Sequence, residues 1–143
     1  MYKKILVGTD GSETAEKAVD NAIELCKSMG AELIAVSVVN MESVASLEET
    51  DKVVYNKIHE HLEIRANEIL DDVEKRAEKE DILLKKIVQM GDPADVIVEL
   101  AKRERADLIV VGTKGLLGVK RVVLGSHAEK IVRWSTVPVL VVR

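Results

Sequence analysis

Short apolar runs alternate with helical stretches along the whole chain, and that alternation limits the possible folds more than any other feature. The runs are residues 3–9 (KKILVGT), 32–39 (ELIAVSVV), 83–90 (LLKKIVQM), 107–112 (DLIVVG) and 138–143 (PVLVVR). The first is a continuous apolar stretch ended by a glycine and an aspartate, the mark of a strand buried on both faces. After it, Ala15, Ala18, Val19, Ala22, Ile23 and Cys26 recur at helical spacing, with Ser12 placed to cap the start and Gly30 the end. A long helix is predicted over roughly residues 53–79, with Ile58, Leu62, Ala66, Ile69, Val73 and Ala77 on one face. Asp92 as N-cap and Pro93 in the first turn open another. Ser126 is placed to cap a last helix ending near Trp134, and the polar residues 40–50 read as a loop. Strands alternating with helices predict parallel strands joined by right-handed crossovers. The expected fold is α/β: a single doubly wound open sheet of five parallel strands with helices on both faces. The 143 residues fit one domain, and no linker or repeat divides them. Such folds bind ligands outside the carboxyl ends of the strands, where the strand order reverses.

The glycines sharpen that expectation. Of eight, Gly30 and Gly91 occupy ordinary turn positions. The other six follow only two strands: Gly8 and Gly11 after the first, and Gly112, Gly115, Gly118 and Gly125 after the fourth. If those strands are neighbours, all six line one crevice, where a backbone without Cβ atoms can approach a ligand closely. The stretch GTKGLLGVKRVVLGS (112–126) also delivers Gly125 and Ser126 to a helix N-terminus, whose free N–H groups and dipole favour an anion. A lone G-x-x-G is usually a turn, whereas this clustering favours a phosphate site. Neither standard phosphate motif is present. There is no G-x-x-x-x-G-K-[ST], and the first strand is followed by GTDG rather than G-x-G-x-x-G.

Composition removes other classes. A net charge of −4 argues against nucleic acid as the main partner. With two Tyr, one Trp and no Phe, the stacking platform of a single-strand binder is missing and the core must be aliphatic. Cys26 is the only cysteine, which leaves no disulfide within the chain and no cysteine-based zinc site. His59 and His61, two residues apart on a helix, do not share a face. The opening residues do not form a signal peptide, and no stretch approaches the apolar length that crosses a bilayer. A cytoplasmic protein with no membrane partner is expected.

The glycine-rich loop carries a further signature. GTKG, nine residues and then GS fit G-x-x-G-x(9)-G-[S/T]. With the opening KKILVGTDGSETAEKAVDNAIELC and the closing LGSHAEKIVRWSTVPVLVVR, the whole chain resembles the universal stress protein family in its ATP-binding branch. The resemblance implies a strand order of 3-2-1-4-5, a dimer, and ATP held at the ends of the first and fourth strands; from the crevice of glycines and the helix N-terminus, ATP is expected to bind with Mg²⁺. The resemblance also implies that Thr9 and Asp10 lie on the adenosine side, that Val38 contacts adenine and that Val111 and Gly112 border the ribose. Gly115, Gly125, Ser126 and the amide of His127 match the phosphate side. Gly8 departs from the pattern, since some ATP-binding members carry proline there.

Several of these residues also have plainer roles. Asp10 can cap the turn that follows it, and Ser126 can serve only as a helix cap. Lys114, Lys120 and Arg121 can screen phosphate or simply be surface cations, and Trp134 can cover an edge of the core or sit at a dimer contact. Three functions compete: an ATP-binding regulatory switch with a downstream protein partner, an ATP pyrophosphatase or adenylyl transferase, and a nucleotide-free interaction module. The switch ranks first. GTDGSE only loosely echoes the serine-glycine-glycine loop of the enzymes, and their histidine-containing motif is missing. No catalytic residue is assigned, because residues 112–126 contain no Asp, Glu, Gln or His to orient water. At most slow hydrolysis is expected. Finally, PVLVV begins with Pro138, which suits a sheet edge. An open edge invites pairing, so a homodimer through the C-terminal strand is expected, with Val139 or Val141 in contact.

Overall fold

The computed structural model describes residues 1–113 and 124–143. In chain order the elements are β1 (Lys4–Gly8), α1 (Glu13–Met29), β2 (Glu32–Val39), a 3-10 turn (Glu42–Val44), α2 (Leu47–Thr50), α3 (Lys52–Lys79), β3 (Leu84–Met90), α4 (Pro93–Arg103), β4 (Leu108–Gly112), α5 (Ser126–Trp134) and β5 (Val139–Val142). The five strands form one sheet in the order β3-β2-β1-β4-β5, and every neighbouring pair is parallel. Chain order reverses between β1 and β4, which pair through Ile5–Leu108, Leu6–Ile109 and Val7–Val110.

Alternation along the central strands builds two cores. Ile5, Val7, Leu33, Ala35, Leu108 and Val110 face α1 and α3, where Val19, Ala22, Leu70 and Val73 are buried. Leu6, Ile34, Val36, Ile109 and Val111 face α4 and α5, where Ile97, Leu100, Ala128 and Ile131 are buried. Both faces of β1 are therefore covered, as its continuous apolar run requires. The residues that fill these layers are almost all branched aliphatics and alanines, the packing available to a chain without phenylalanine. Cys26 is part of the first core, and burial pushes its thiol pKa up to about 11, so it is an inert filler rather than a nucleophile.

The helix ends follow their caps. Ser12 accepts the Ala15 N–H and Gly30 closes α1 in the left-handed conformation. Asp51 and Asp92 cap α3 and α4. The outer helices α1 and α3 are joined by Arg76, which contacts Glu16 at 2.7 Å, Asp20, and Asp72 at 3.5 Å. Burial opposes its charge, but Asp20 and Glu16 outweigh that and push its pKa above the ordinary arginine value.

Three expectations change. Residues 40–50 are not a plain loop. They form the 3-10 turn and α2, because Met41 is buried and Val44 packs beside it in a small third cluster with Val39, Ala66, Tyr55, Ile58 and Leu62. Ser126 does not cap α5. Gly125 holds the cap position without a side-chain bond, and Ser126 is the first helical residue. Trp134 does not cover the core either, being 62% exposed at the end of α5.

Candidate functional site

The β1–α1 turn is locked by its own side chains. Thr9, buried, donates its N–H to the Val36 carbonyl at 2.9 Å, and its Oγ1 accepts the Gly11 N–H at 3.2 Å. Asp10 Oδ1 accepts the Ser12 N–H at 3.0 Å, which is the turn-capping role its type suggests. A carboxylate has two oxygens and about four acceptor sites, so this one bond leaves capacity for a ligand hydroxyl. Gly11 sits at φ +79°, a conformation that L side chains rarely adopt.

The two ends of the β4–α5 connection, Thr113 and Gly125, meet beside that turn. Thr113 follows β4, is buried, and donates its N–H to Val142 of β5 at 2.8 Å. Its carbonyl accepts the Gly125 N–H at 2.6 Å. One hydrogen bond thus pinches the two ends of the glycine-rich loop together and brings the start of α5 to the end of β4. The first intrahelical bond of α5 runs from the Glu129 N–H to the Gly125 carbonyl at 2.9 Å. The amides of Ser126, His127 and Ala128 precede it and point out of the helix start. Two helix N-termini, of α1 and of α5, therefore flank the point where strand order reverses, a geometry that suits an anionic ligand.

The sequence-predicted residues divide into groups. Thr9, Asp10, Gly112, Gly125, Ser126 and His127 come together at the carboxyl ends of β1 and β4. Val38, half-buried near the end of β2, and Val111, buried in β4, belong to the core layer facing α4 and α5. Gly115 and Gly118, with Lys114, Lys120 and Arg121, lie outside the described residues. Two of the crevice glycines have a packing reason as well. A Cβ on Gly8 would lie 2.5 Å from Ile97 Cδ1. A Cβ on Gly112 would lie 2.6 Å from the carbonyl carbon of Thr14 and 2.8 Å from the Ala15 nitrogen. Gly112 is glycine because the first turn of α1 rests directly on β4.

His127 contributes a ring that lies beside the start of α4. Its Nδ1 lies 3.9 Å from Asp92 Oδ1, at the cap of α4. Lys130 joins the same group, 3.1 Å from Asp92 Oδ2 and 3.0 Å from Asp95 Oδ1. Burial works to raise the Asp92 pKa, but the Asp95 N–H, Lys130 and His127 outweigh it and hold the carboxyl below the usual aspartate range. Because the native pKa is depressed, the stabilisation is complete at neutral pH and is lost as pH falls through the native value. The start of α5 is thereby tethered to α4. Sequence reasoning missed both this tether and the Thr113 pinch. Asp92 was legible only as a cap, and Thr113 as one residue of a loop. Among the described residues there is no cluster of three metal-ligating side chains. A surface groove lined by Lys4, Glu32, Leu83, Lys85 and Glu104 lies at the amino ends of the strands, the wrong edge of the sheet for this site.

The sequence profile of the universal stress protein family matches residues 1–143. The chain belongs to that family. Universal stress protein MJ0531 of Methanocaldococcus jannaschii is 38% identical over 143 residues, covering 100% of this chain and 83% of its own length. The solved structure of MJ0577, described as a hypothetical protein whose biochemical function was assigned from structure, matches at 34% identity with a TM-score of 0.85, covering 99% of this chain and 96% of that one. A universal stress protein crystallised in complex with cAMP matches at 30% identity with a TM-score of 0.72, covering 99% and 97%. The expected family and the expected sheet, including its order, hold for this universal stress protein. Among its described residues no helix is long and apolar enough to cross a membrane.

Proposed function

We propose that this universal stress protein is an ATP-binding regulatory domain, a nucleotide-dependent switch. ATP would lie across the carboxyl ends of β2, β1 and β4, with its triphosphate at the start of α5. The observation that carries this reading is the Thr113–Gly125 pinch, which sets the free amides of α5 beside the β1–α1 turn at the point of strand reversal. Val38 would meet the adenine, Thr9, Asp10, Val111 and Gly112 the nucleoside, and Gly115, Gly125, Ser126 and the His127 amide the phosphates. That a relative was crystallised with cAMP supports an adenine nucleotide as the ligand class. Mg²⁺ would arrive on the nucleotide. This ion commonly binds through one or two carboxylates and substrate phosphates rather than in an all-protein cage, and the donor set here fits that mode. Calorimetric titration with Mg²⁺ and ATP, GTP or AMP tests the reading. ATP is expected to bind tightest, and no ATP binding at millimolar concentration would refute it. Phosphate release is expected well below about 1 per second, and turnover of several per second that vanishes in a Gly125→Val control would instead make the protein an enzyme.

A homodimer through β5 is part of the proposal. The two sheet edges differ. On β3, Lys85 pairs with Glu104, and Lys86 pairs with Asp71 at 3.0 Å and Glu74 at 3.1 Å, so charged side chains guard that edge. On β5 the strand is Val-Leu-Val-Val, without charge, and its second residue, Leu140, is exposed. Val139 and Val141 partly pack into their own core, which makes Leu140 the more accessible contact. Light scattering at micromolar concentration should give a dimer, and Leu140→Lys should shift it toward monomer. A wild-type monomer would refute this part.

A further inference from the structure

Two arginines of α3, Arg65 and Arg76, stand eleven residues apart, close to a whole number of helical turns. They therefore share one stripe, separated by about 16 Å along the axis. Arg76 uses that stripe to reach α1 and is met there by Glu16 and Asp20. α3 crosses back between the parallel strands β2 and β3, so it runs against their direction and its earlier residues lie nearer their carboxyl ends. Arg65 is thus the member of the pair nearer the candidate site. Its Nη2 lies 3.2 Å from the position a Cβ would take on Gly11, and Ile69, one turn on, packs at 3.1 Å from the same point. The head group rests on the turn that carries Thr9 and Asp10.

Unlike Arg76, this guanidinium has no carboxylate. Among the described residues Arg65 makes no ion pair or hydrogen bond, and residues 114–123 contain neither Asp nor Glu. A guanidinium is planar, permanently charged, weakly hydrated and donor-only, and it stacks on flat rings. Aromatic side chains are scarce and committed elsewhere. Tyr2 packs on the first core, Tyr55 on the small cluster around Met41, and Trp134 is at the far end of α5. We propose that Arg65 is a nucleotide-binding residue that reaches the nucleoside half of the ligand from α3. Its plane would lie against the base or ribose on the β2 side, while the phosphates lie at α5 on the β4 side. This rests on the nucleotide-binding reading above.

The test is calorimetry of wild type, Arg65→Gln and Arg65→Lys with ATP, AMP and adenosine. Arg65→Gln is expected to weaken all three by the same factor, about tenfold. Arg65→Lys, which keeps the charge and loses the plane, is expected not to restore them. The ligand-free melting temperature of both variants should match wild type, because the position is an exposed helix surface. A loss that grows from adenosine to ATP would put Arg65 at the phosphates and overturn the assignment. Equal affinities in wild type and variants would overturn it as well while leaving the nucleotide reading intact. If wild type binds none of the three, that reading fails and this one with it.

Discussion

Gly112→Ala is expected to lower the melting temperature by about 10 °C, a loss of about 3 kcal/mol. The cause is where the new methyl would go. It would lie 2.6 Å from the carbonyl carbon of Thr14, 2.6 Å from its Oγ1 and 2.8 Å from the Ala15 nitrogen. Two of the three are backbone atoms in the first turn of α1. They cannot rotate aside, so either α1 or β4 must shift, and the shift would be felt in both cores. Gly8→Ala is the control. Its methyl would meet Ile97 Cδ1 at 2.5 Å, the far end of a flexible side chain. Repacking one isoleucine should cost no more than about 1 kcal/mol. Thermal denaturation of the two variants beside wild type checks the ordering. A Gly112→Ala protein as stable as Gly8→Ala would show that the α1–β4 contact is softer than its distances suggest.

Gly125→Val is expected to weaken ATP binding by about 100-fold while leaving the protein folded. Gly125 sits at φ −66°, ψ 160°, a conformation valine accepts without strain. Its own N–H is used by the Thr113 carbonyl, so what it offers a phosphate is close approach rather than that amide. A branched side chain at the cap would keep phosphate from the Ser126 and His127 amides. Two hydrogen bonds to a charged group are worth about 3 kcal/mol together at the low end of their range, which is about 100-fold in affinity. Valine is also a poor N-cap, so a stability loss of about 1 kcal/mol should accompany it. Titration calorimetry and melting curves separate the two effects. If ATP binds the variant as it binds wild type, Gly125 serves only the turn and the triphosphate does not lie at α5.

Much of this was readable from the chain because it depends on near neighbours in sequence. The apolar run of residues 3–9 needs no partner to declare itself a doubly covered strand. Ser12, Asp92 and Gly30 cap helices through bonds spanning three or four residues. Gly11 announces a turn through its own backbone freedom. Ser126 was misread by one position because either residue of Gly-Ser can stand at a helix start, and the choice fell to Gly125, whose N–H bonds to Thr113 twelve residues earlier. Residues 40–50 were misread as loop because their polar surface is local, whereas the burial of Met41 depends on α3.

The sequence by itself determined the alternation of strands and helices, the aliphatic character of both cores and the two loops in which the glycines gather. Each follows from periodicity or from the conformational range of single residues, which act over a few positions. Only the tertiary structure decided that Gly112 is glycine for the sake of Thr14, that the His127 ring belongs to Asp92 and that Arg76 is paired where Arg65 is not. These contacts join residues far apart in the chain, and their distances exist only once the sheet has set β1 beside β4 and laid α1 and α3 across it.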